Sequence, residues 1–235
     1  MTRRSWSDEF STRGGLTGSD NDTEGTTPMA DIVSTLFISL DGVAEIAEDW
    51  HFPYFDENMG RAVSEDYAPA DVLLLGRVTY DSFAGAWPDR EAAGEDDATF
   101  AKSLGDRRKI VVSRKPLEST WRNTELLDGD LVEAVRALKA DPSVESILIP
   151  GSISVVQQLL AAGLIDELRL LVHPVAARNG RRLFDDGDVR YHLSLLKSDT
   201  FPTGVVRLLY APASAPGKTT YDDIKDMGPG TRTDD

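Results

Sequence analysis

Short apolar runs alternate along the middle of the chain with longer stretches in which apolar residues recur every three or four positions. The short runs predict strands buried in a sheet, and the longer stretches predict helices with one apolar face. The predicted strands are Asp31–Ser39, Val72–Leu75, Lys109–Val112, Ile147–Ile149, Leu168–His173, His192–Ser198 and Val205–Tyr210. The predicted helices are Phe55–Tyr67, Val78–Ala84, Ala98–Leu104, Leu131–Ala140 and Ile153–Ala162.

The order of these elements indicates the fold class. Strands and helices alternate at first, and the last strands then follow one another without a helix between them. The final two strands are expected to form an antiparallel hairpin through the turn Phe201–Gly204. We therefore predict an α/β fold with a mixed, mostly parallel sheet, antiparallel C-terminal edge strands and helices on both faces. Since no G-x-G-x-x-G follows the first strand, a plain doubly wound fold is not expected.

Both ends of the chain differ from the middle. Residues 1–29 and 211–235 show no apolar periodicity and are rich in Ser, Thr, Gly, Pro and Asp. This composition is typical of flexible tails, because it offers little apolar surface to bury. We therefore predict a single folded domain at residues 30–210 with a tail on each side.

Composition excludes several kinds of site. The 235 residues include no cysteine, so disulfides and thiolate catalysis are excluded, and the three histidines lack the spacing of a metal site. The net charge of −15 argues against a nucleic-acid partner. No apolar run is long enough for a membrane helix, and the N-terminus lacks the apolar core of a signal peptide. These features predict a cytoplasmic protein with no membrane partner.

Two turns carry the strongest functional signal. Gly76–Tyr80 follows one apolar strand and opens a helix, and Pro150-Gly151-Ser152 does the same after another strand. Glycine followed by a helix N-terminus favours anion binding, because free backbone N–H groups and the positive end of the helix dipole point at one place. Two such turns in one domain favour a ligand with several phosphates, such as a dinucleotide. The alternative is that both are tight turns only.

The order and spacing of several segments resemble a known family. The segments are Ser39–Gly42, Leu75–Tyr80 with Trp87-Pro88, Lys109–Arg114, Pro150–Ser152, Gly163–Leu168 and His173–Val175 with Arg182–Phe184. Over residues 32–210 the chain resembles the dihydrofolate-reductase-like superfamily. Within it, the chain is similar to stand-alone bacterial proteins related to the reductase domain of bifunctional riboflavin-biosynthesis enzymes.

The resemblance implies a three-layer fold, NADPH as the cofactor and a homodimer. It also implies roles for individual residues. Gly76, Arg77 and Thr79 would hold the cofactor's phosphates, Ser113 and Arg114 would meet the adenosine 2′-phosphate, and Pro150, Gly151 and Ser152 would form the turn beside the pyrophosphate and nicotinamide. One departure is Ala176–Arg182, which stands where relatives have a Gly-x-Gly-type turn. Another is the missing Asp-Asp-Pro stretch after Gly76-Arg77, which argues against riboflavin-pathway activity itself.

Two acidic residues are candidates for a proton source. Dihydrofolate reductases follow their first strand with Trp, Pro and an acid, and Trp50 and Pro53 match that pattern. Asp56 stands one position later than the family's acid, which rotates a helical side chain by about 100°. The alternative role for Asp56 is a helix N-cap. Asp41 lies at a strand end facing the expected site, and Asp-Gly is also a common turn.

Aromatic residues surround the predicted site, and Trp50 and Tyr80 are the candidates for substrate contact. The alternative is that they belong to the core. The leading hypothesis is an NADPH-dependent reductase of a small heterocyclic substrate that is pterin-, pyrimidine- or flavin-like. The alternatives are a non-catalytic nucleotide- or metabolite-binding protein and an oligomerisation scaffold. A flavin or deazaflavin in the same cleft also stays open.

Overall fold

A computed structural model describes residues 29–94, 96–184, 187 and 189–224 of the chain. The predicted N-terminal tail, apart from Met29, lies outside the described residues, as does the end of the chain from residue 225. The strands are β1 Asp31–Ser39, β2 Val72–Gly76, β3 Arg108–Val112, β4 Thr124–Leu126, β5 Ser146–Ile149, β6 Glu167–His173, β7 Leu193–Thr200 and β8 Val206–Pro212. The helices are α1 Glu48–His51, α2 Glu57–Tyr67, α3 Arg77–Ala84, α4 Trp87–Ala93, α5 Ala98–Asp106, α6 Leu131–Lys139, α7 Ile153–Ala161 and α8 Tyr221–Ile224.

The described strands form one eight-stranded sheet in the order β4-β3-β2-β5-β1-β6-β8-β7. The first six strands in this order are parallel to one another. β8 runs antiparallel to β6, and β7 runs antiparallel to β8. The turn between β7 and β8 is closed by the Phe201 N–H, which donates to the Val205 carbonyl over 2.8 Å. The predicted mixed sheet with antiparallel C-terminal edge strands is confirmed.

Both faces of the central sheet are covered, as β2 shows. Val72 and Leu74 pack with apolar residues of α6 and α7. Leu73 and Leu75 point the other way and pack with residues of α2, α3 and α5. Every residue of β2 is buried, as expected for a parallel strand between two helical layers. This arrangement confirms the three-layer fold.

The apolar pattern did not predict the shortest elements. α1, α4 and the 3₁₀ turn Phe52–Tyr54 span two turns or fewer, so they offer too few positions for a period to show. β4 has three residues and lies at the edge of the sheet, where its side chains are exposed or half-buried. A strand at the edge of the sheet lacks the continuous apolar run of a central strand.

Within the part of the chain that the structure describes, no helix is long and apolar enough to cross a membrane.

A buried lysine in β3 stabilises the end of α5. Lys109 Nζ donates to the carbonyl oxygens of Leu104, Gly105 and Arg107 at 2.8, 2.9 and 2.7 Å. It also lies 4.3 Å from the centre of the Trp121 ring. Burial lowers the pKa of Lys109 to about 8. The ammonium group therefore satisfies carbonyls that a helix C-terminus leaves without partners.

We expect Lys109→Met to lower the free energy of unfolding by about 2 kcal/mol, because the three carbonyls lose their donor inside the protein. Urea unfolding followed by circular dichroism measures the change. Lys102→Met is the matched control, since Lys102 is exposed in α5 and, among the described residues, its side chain forms an ion pair with Asp106 alone. The control should change the free energy by about 0.5 kcal/mol or less. Equal losses in the two variants would contradict the capping role.

Candidate functional site

A cavity of about 1020 Å³ opens where the parallel strands end. Residues that follow β2, β3 and β5 line it, together with the first turns of α3 and α7. The middle of β1 and the inner face of α2 close it with Leu36, Phe37, Val63 and Tyr67. The cavity thus has a polar side made of loops and helix ends and an apolar side made mainly of β1, α2 and α3.

The two turns predicted to bind phosphate touch each other. The Gly76 N–H donates to the Gly151 carbonyl over 3.2 Å. A Cβ at Gly76 would lie 2.0 Å from Ser152 Oγ, and one at Gly151 would lie 2.8 Å from Thr79 Oγ1. Gly151 has φ of +143°, which also favours glycine, and its peptide bond to Ser152 is cis. In the structure, the space beside each glycine is therefore filled by the other turn.

Both helices that begin at these turns lack a side-chain cap. The N-caps of α3 and α7 are Gly76 and Ser152, and in the described part of the chain no side-chain cap hydrogen bond is formed at either. In contrast, Asp56 caps α2 and Asp130 caps α6. The starts of α3 and α7 line the cavity. Two uncapped helix N-termini at one cavity make a suitable site for an anion.

Arg114 and Lys115 add positive charge to the polar side. Ser113 closes their turn, because its hydroxyl donates to the Lys115 carbonyl over 2.8 Å and accepts from the Lys115 N–H at 3.1 Å. Arg114 and Lys115 are exposed at the cavity, and among the described residues neither forms an ion pair. Their side chains are therefore available to a phosphate group.

Arg77 differs from Arg114 because it already has acidic partners. Its Nε donates to Asp81 Oδ2 at 2.6 Å, and its Nη2 lies 3.3 Å from Glu118 Oε1. Its Nη1 donates to the Pro116 carbonyl over 3.3 Å. These carboxylates, Asp81 first, raise the pKa of Arg77. Arg77 is thereby fixed at the start of α3 with its charge largely balanced.

The structure brings most of the predicted cofactor residues together. Arg77, Thr79, Ser113, Arg114, Pro150, Gly151 and Ser152 line the cavity. Gly76 lies directly behind them and contacts the Pro150–Ser152 turn. Their role in binding a cofactor stays a prediction.

Asp56 and Asp41 lie outside the cavity lining. Asp56 caps α2, where Oδ1 accepts from the Met59 N–H at 2.9 Å and Oδ2 accepts from Asn58 at 3.0 Å. Asp41 accepts from the Ser39 hydroxyl at 2.7 Å and from the N–H groups of Ala177 and Arg178. These hydrogen bonds, from the Asn58 and Ser39 side chains first, lower the pKa of both carboxyls. The structure gives both residues a role in holding the backbone, and their catalytic role stays a prediction.

Trp50 and Tyr80 are buried and do not line the cavity. The Trp50 ring packs edge-on against His173, with ring centres 5.1 Å apart. The Tyr80 hydroxyl donates to the Ser119 carbonyl over 2.9 Å. This environment matches the core alternative for both residues, and their contact with substrate stays a prediction.

The sequence reasoning missed the residues of the apolar side. Thr35 and Phe37 alternate on β1 and face α2, whose Val63 and Tyr67 also line the cavity. Burial and the neighbouring Asp66 raise the pKa of Tyr67, so its hydroxyl keeps its proton. The period-two pattern of β1 indicates which of its residues share a face. That this face borders the cavity is seen only from the way α2 packs over β1 in the fold.

A buried ion-pair cluster lies behind Thr35. The Thr35 hydroxyl donates to Asp66 Oδ2 over 2.8 Å. Asp66 Oδ1 pairs with Arg169 Nη1 at 2.9 Å and with Arg207 Nη2. The Asp66 side chain is fully buried. Its negative charge is therefore balanced by two guanidinium groups on β6 and β8.

Two of the three histidines form a pair beside the apolar side. His51 Nδ1 and His173 Nε2 are 3.1 Å apart, and His173 Nδ1 is 3.0 Å from the Leu171 carbonyl. The carbonyl fixes the hydrogen on His173 Nδ1, so His51 donates to His173. Burial and the neighbouring His173 lower the pKa of His51 to about 4. Phe37, which lines the cavity, packs against the His51 ring with centres 4.3 Å apart.

Histidine and carboxylate groups do not form a metal site in the part of the chain that the structure describes, where no cluster of three or more could hold an ion. The expectation that no metal is bound stays a prediction.

The two paired histidines are 122 positions apart in the sequence, so no local motif indicates that they meet.

Comparisons with known proteins agree with this architecture. The family model described as the RibD C-terminal domain matches residues 30–207. The uncharacterized protein YyaP from Bacillus subtilis (strain 168) is 29% identical over 182 residues, which is 76% of this chain and 93% of the relative.

Solved structures share the fold at low sequence identity. A protein named for riboflavin biosynthesis from Shewanella sp. PV-4 is 20% identical with a TM-score of 0.62, over 78% of this chain and 99% of that one. A pyrimidine reductase-like protein from Corynebacterium diphtheriae is 18% identical with a TM-score of 0.56, over 79% and 93% of the two chains. Because the family model also covers most of the sequence, the protein belongs to the RibD C-terminal domain family.

Proposed function

We propose that the protein is an NADPH-dependent reductase that transfers a hydride to a small heterocyclic substrate. The observation that carries this proposal is the polar side of the cavity, where two uncapped helix N-termini lie together with Arg114 and Lys115. Membership of the RibD C-terminal domain family supports an oxidoreductase.

The residues present fit a phosphorylated dinucleotide. The cavity volume is at the upper end of the range of about 300–1,000 Å³ for small-molecule and cofactor sites. The starts of α3 and α7 offer N–H groups for the pyrophosphate, with Thr79 adding a hydroxyl. Ser113, Arg114 and Lys115 form an exposed basic turn that suits the adenosine 2′-phosphate. These two sets of groups support the proposal of one site for the pyrophosphate and another for the 2′-phosphate of NADPH.

When bound, NADPH supplies the hydride. The protein's own residues orient the substrate and exclude water. Phe37, Val63 and Phe83 provide apolar walls for a flat ring, and Thr35 provides a hydroxyl at its edge. Of the acidic residues, Glu45 and Asp130 line the cavity. The Glu45 carboxylate accepts from the Arg181 N–H at 2.9 Å, which holds it at the rim.

A second candidate function is nucleotide or metabolite binding without catalysis. It is favoured by the position of Asp56 and Asp41, the two expected proton sources, outside the cavity lining. NADPH oxidation in the presence of pterin- and flavin-like acceptors separates the two functions. Turnover supports the reductase, whereas tight NADPH binding without turnover of any acceptor supports the binding protein.

Calorimetric titration with NADPH and NADH tests the cofactor. We expect tighter binding of NADPH, and we expect Arg114→Ala to weaken NADPH binding by about tenfold or more while leaving NADH binding nearly unchanged. The reason is the loss of a charged donor to the 2′-phosphate. Arg61→Ala is the control, since Arg61 is exposed on α2 and bonds to Asn58 instead of lining the cavity. Failure of both nucleotides to bind would refute the proposed function.

A further inference from the structure

On the apolar side of the cavity, the Thr35 hydroxyl already donates its hydrogen to another side chain of the protein. Thr35 and Phe37 of β1 line the cavity together with the α2 residues Val63 and Tyr67. Phe37 and Val63 pack in one apolar cluster. A ligand that enters this side therefore meets apolar walls and the Thr35 hydroxyl on β1, with two further hydroxyl-bearing residues, Tyr67 and Ser82, in the lining.

Asp66 determines the direction of the hydrogen bond at Thr35. The Asp66 side chain is fully buried, and its Oδ1 pairs with Arg169 and Arg207. A carboxylate that faces two guanidinium groups offers its oxygens as hydrogen-bond acceptors. The Thr35 hydroxyl must therefore donate to Asp66, as the 2.8 Å contact shows. The lone pairs of the Thr35 oxygen remain for a second partner. Toward the cavity, Thr35 thus acts as a hydrogen-bond acceptor.

We propose that Thr35 is a specificity-determining residue that selects flat substrates with an N–H or O–H donor on the ring edge. A ring without such a donor leaves the buried oxygen with an unused lone pair and binds more weakly. The inference rests on the proposed function in that the ring is the substrate of that reductase. Beyond the proposed function, the inference specifies that the substrate ring carries a hydrogen-bond donor on the edge that faces Thr35.

Indole and benzofuran test this proposal as a matched pair. The two rings have nearly the same shape, and only indole carries an N–H donor. Titration of the ¹⁵N-labelled protein by NMR measures both affinities without any cofactor. We expect wild-type protein to prefer indole by about threefold to tenfold, with shifts at cavity residues such as Val63. Thr35→Val should abolish the preference, whereas Thr35→Ser should retain it because serine keeps the hydroxyl.

A nuclear Overhauser contact between the indole N–H and the Thr35 methyl group in the wild type gives a second readout that does not depend on folding of the valine variant. Equal affinities in the wild type, a preference that persists in Thr35→Val, or no binding of either ring in the cavity would overturn the proposal. The titrations with indole and benzofuran contain no nucleotide. A failure of the protein to bind NADPH would therefore refute the proposed cofactor without changing the outcome of the ring comparison.

Discussion

Replacing Gly76 by alanine is expected to lower the free energy of unfolding by about 3 kcal/mol and to abolish NADPH binding. The added Cβ would lie 2.0 Å from Ser152 Oγ, 2.6 Å from Ser152 Cβ and 3.0 Å from the Ser152 backbone nitrogen. Rotation of the serine side chain cannot relieve the last two contacts. The starts of α3 and α7 must therefore move apart, and the N–H groups they offer no longer point to one place.

Urea unfolding and calorimetry measure the two effects of Gly76→Ala. Gly60→Ala is the matched control, because a Cβ at Gly60 meets nothing closer than Phe55 at 3.7 Å. Alanine also favours the helix there, so the control should be as stable as the wild type or more stable. If Gly76→Ala binds NADPH with wild-type affinity, the contact between the turns does not shape the cofactor site.

Acid is expected to destabilise the protein through the buried histidine pair. The pKa of His51 is about 4 in the folded protein and 6.5 in an unfolded chain. Between these values the unfolded chain binds a proton that the folded protein does not, so stability is full above pH 6.5 and falls as the pH decreases toward 4. Over this window the loss attributable to His51 amounts to about 3 kcal/mol.

Unfolding free energies at pH 7.5 and pH 4.5 test this expectation. His51→Phe removes the titrating group and keeps an aromatic ring in the cluster with Phe37 and Trp50. The variant should lose less stability between the two pH values than the wild type. His192→Gln is the control, and it should lose as much as the wild type. An unchanged pH dependence in His51→Phe would show that the pair is not responsible.

The sequence was sufficient to predict every described strand except β4 and to locate the two glycine turns on the polar side of the cavity. Strands such as β2 lie between two helical layers, so they appear as unbroken apolar runs. The turns at Gly76 and at Pro150–Ser152 could also be recognised from the sequence, because each has its glycine, its polar residues and the start of its helix within a few positions. Chemistry that depends on neighbours in the chain can be inferred from a local pattern.

The apolar side could not be inferred in the same way. Thr35 gains its partner Asp66 from α2 and two further charges from β6 and β8, which the fold alone brings together. His51 and His173 meet in the same manner. Asp56 poses a different difficulty, since its pattern is local but ambiguous. An acidic residue just before a helix looks the same in the sequence whether it caps the helix or donates a proton.

The contact between the two glycine turns also limits how this family member can change. Each glycine leaves room for a side chain of the other turn, Ser152 beside Gly76 and Thr79 beside Gly151. A larger residue at position 76 is therefore tolerated only if position 152 becomes smaller. At position 151 a smaller residue at position 79 would remove the contact, but the φ of +143° would still favour glycine. In evolution or in protein design, the two turns have to be exchanged as a set, even though about seventy-five positions separate them in the chain.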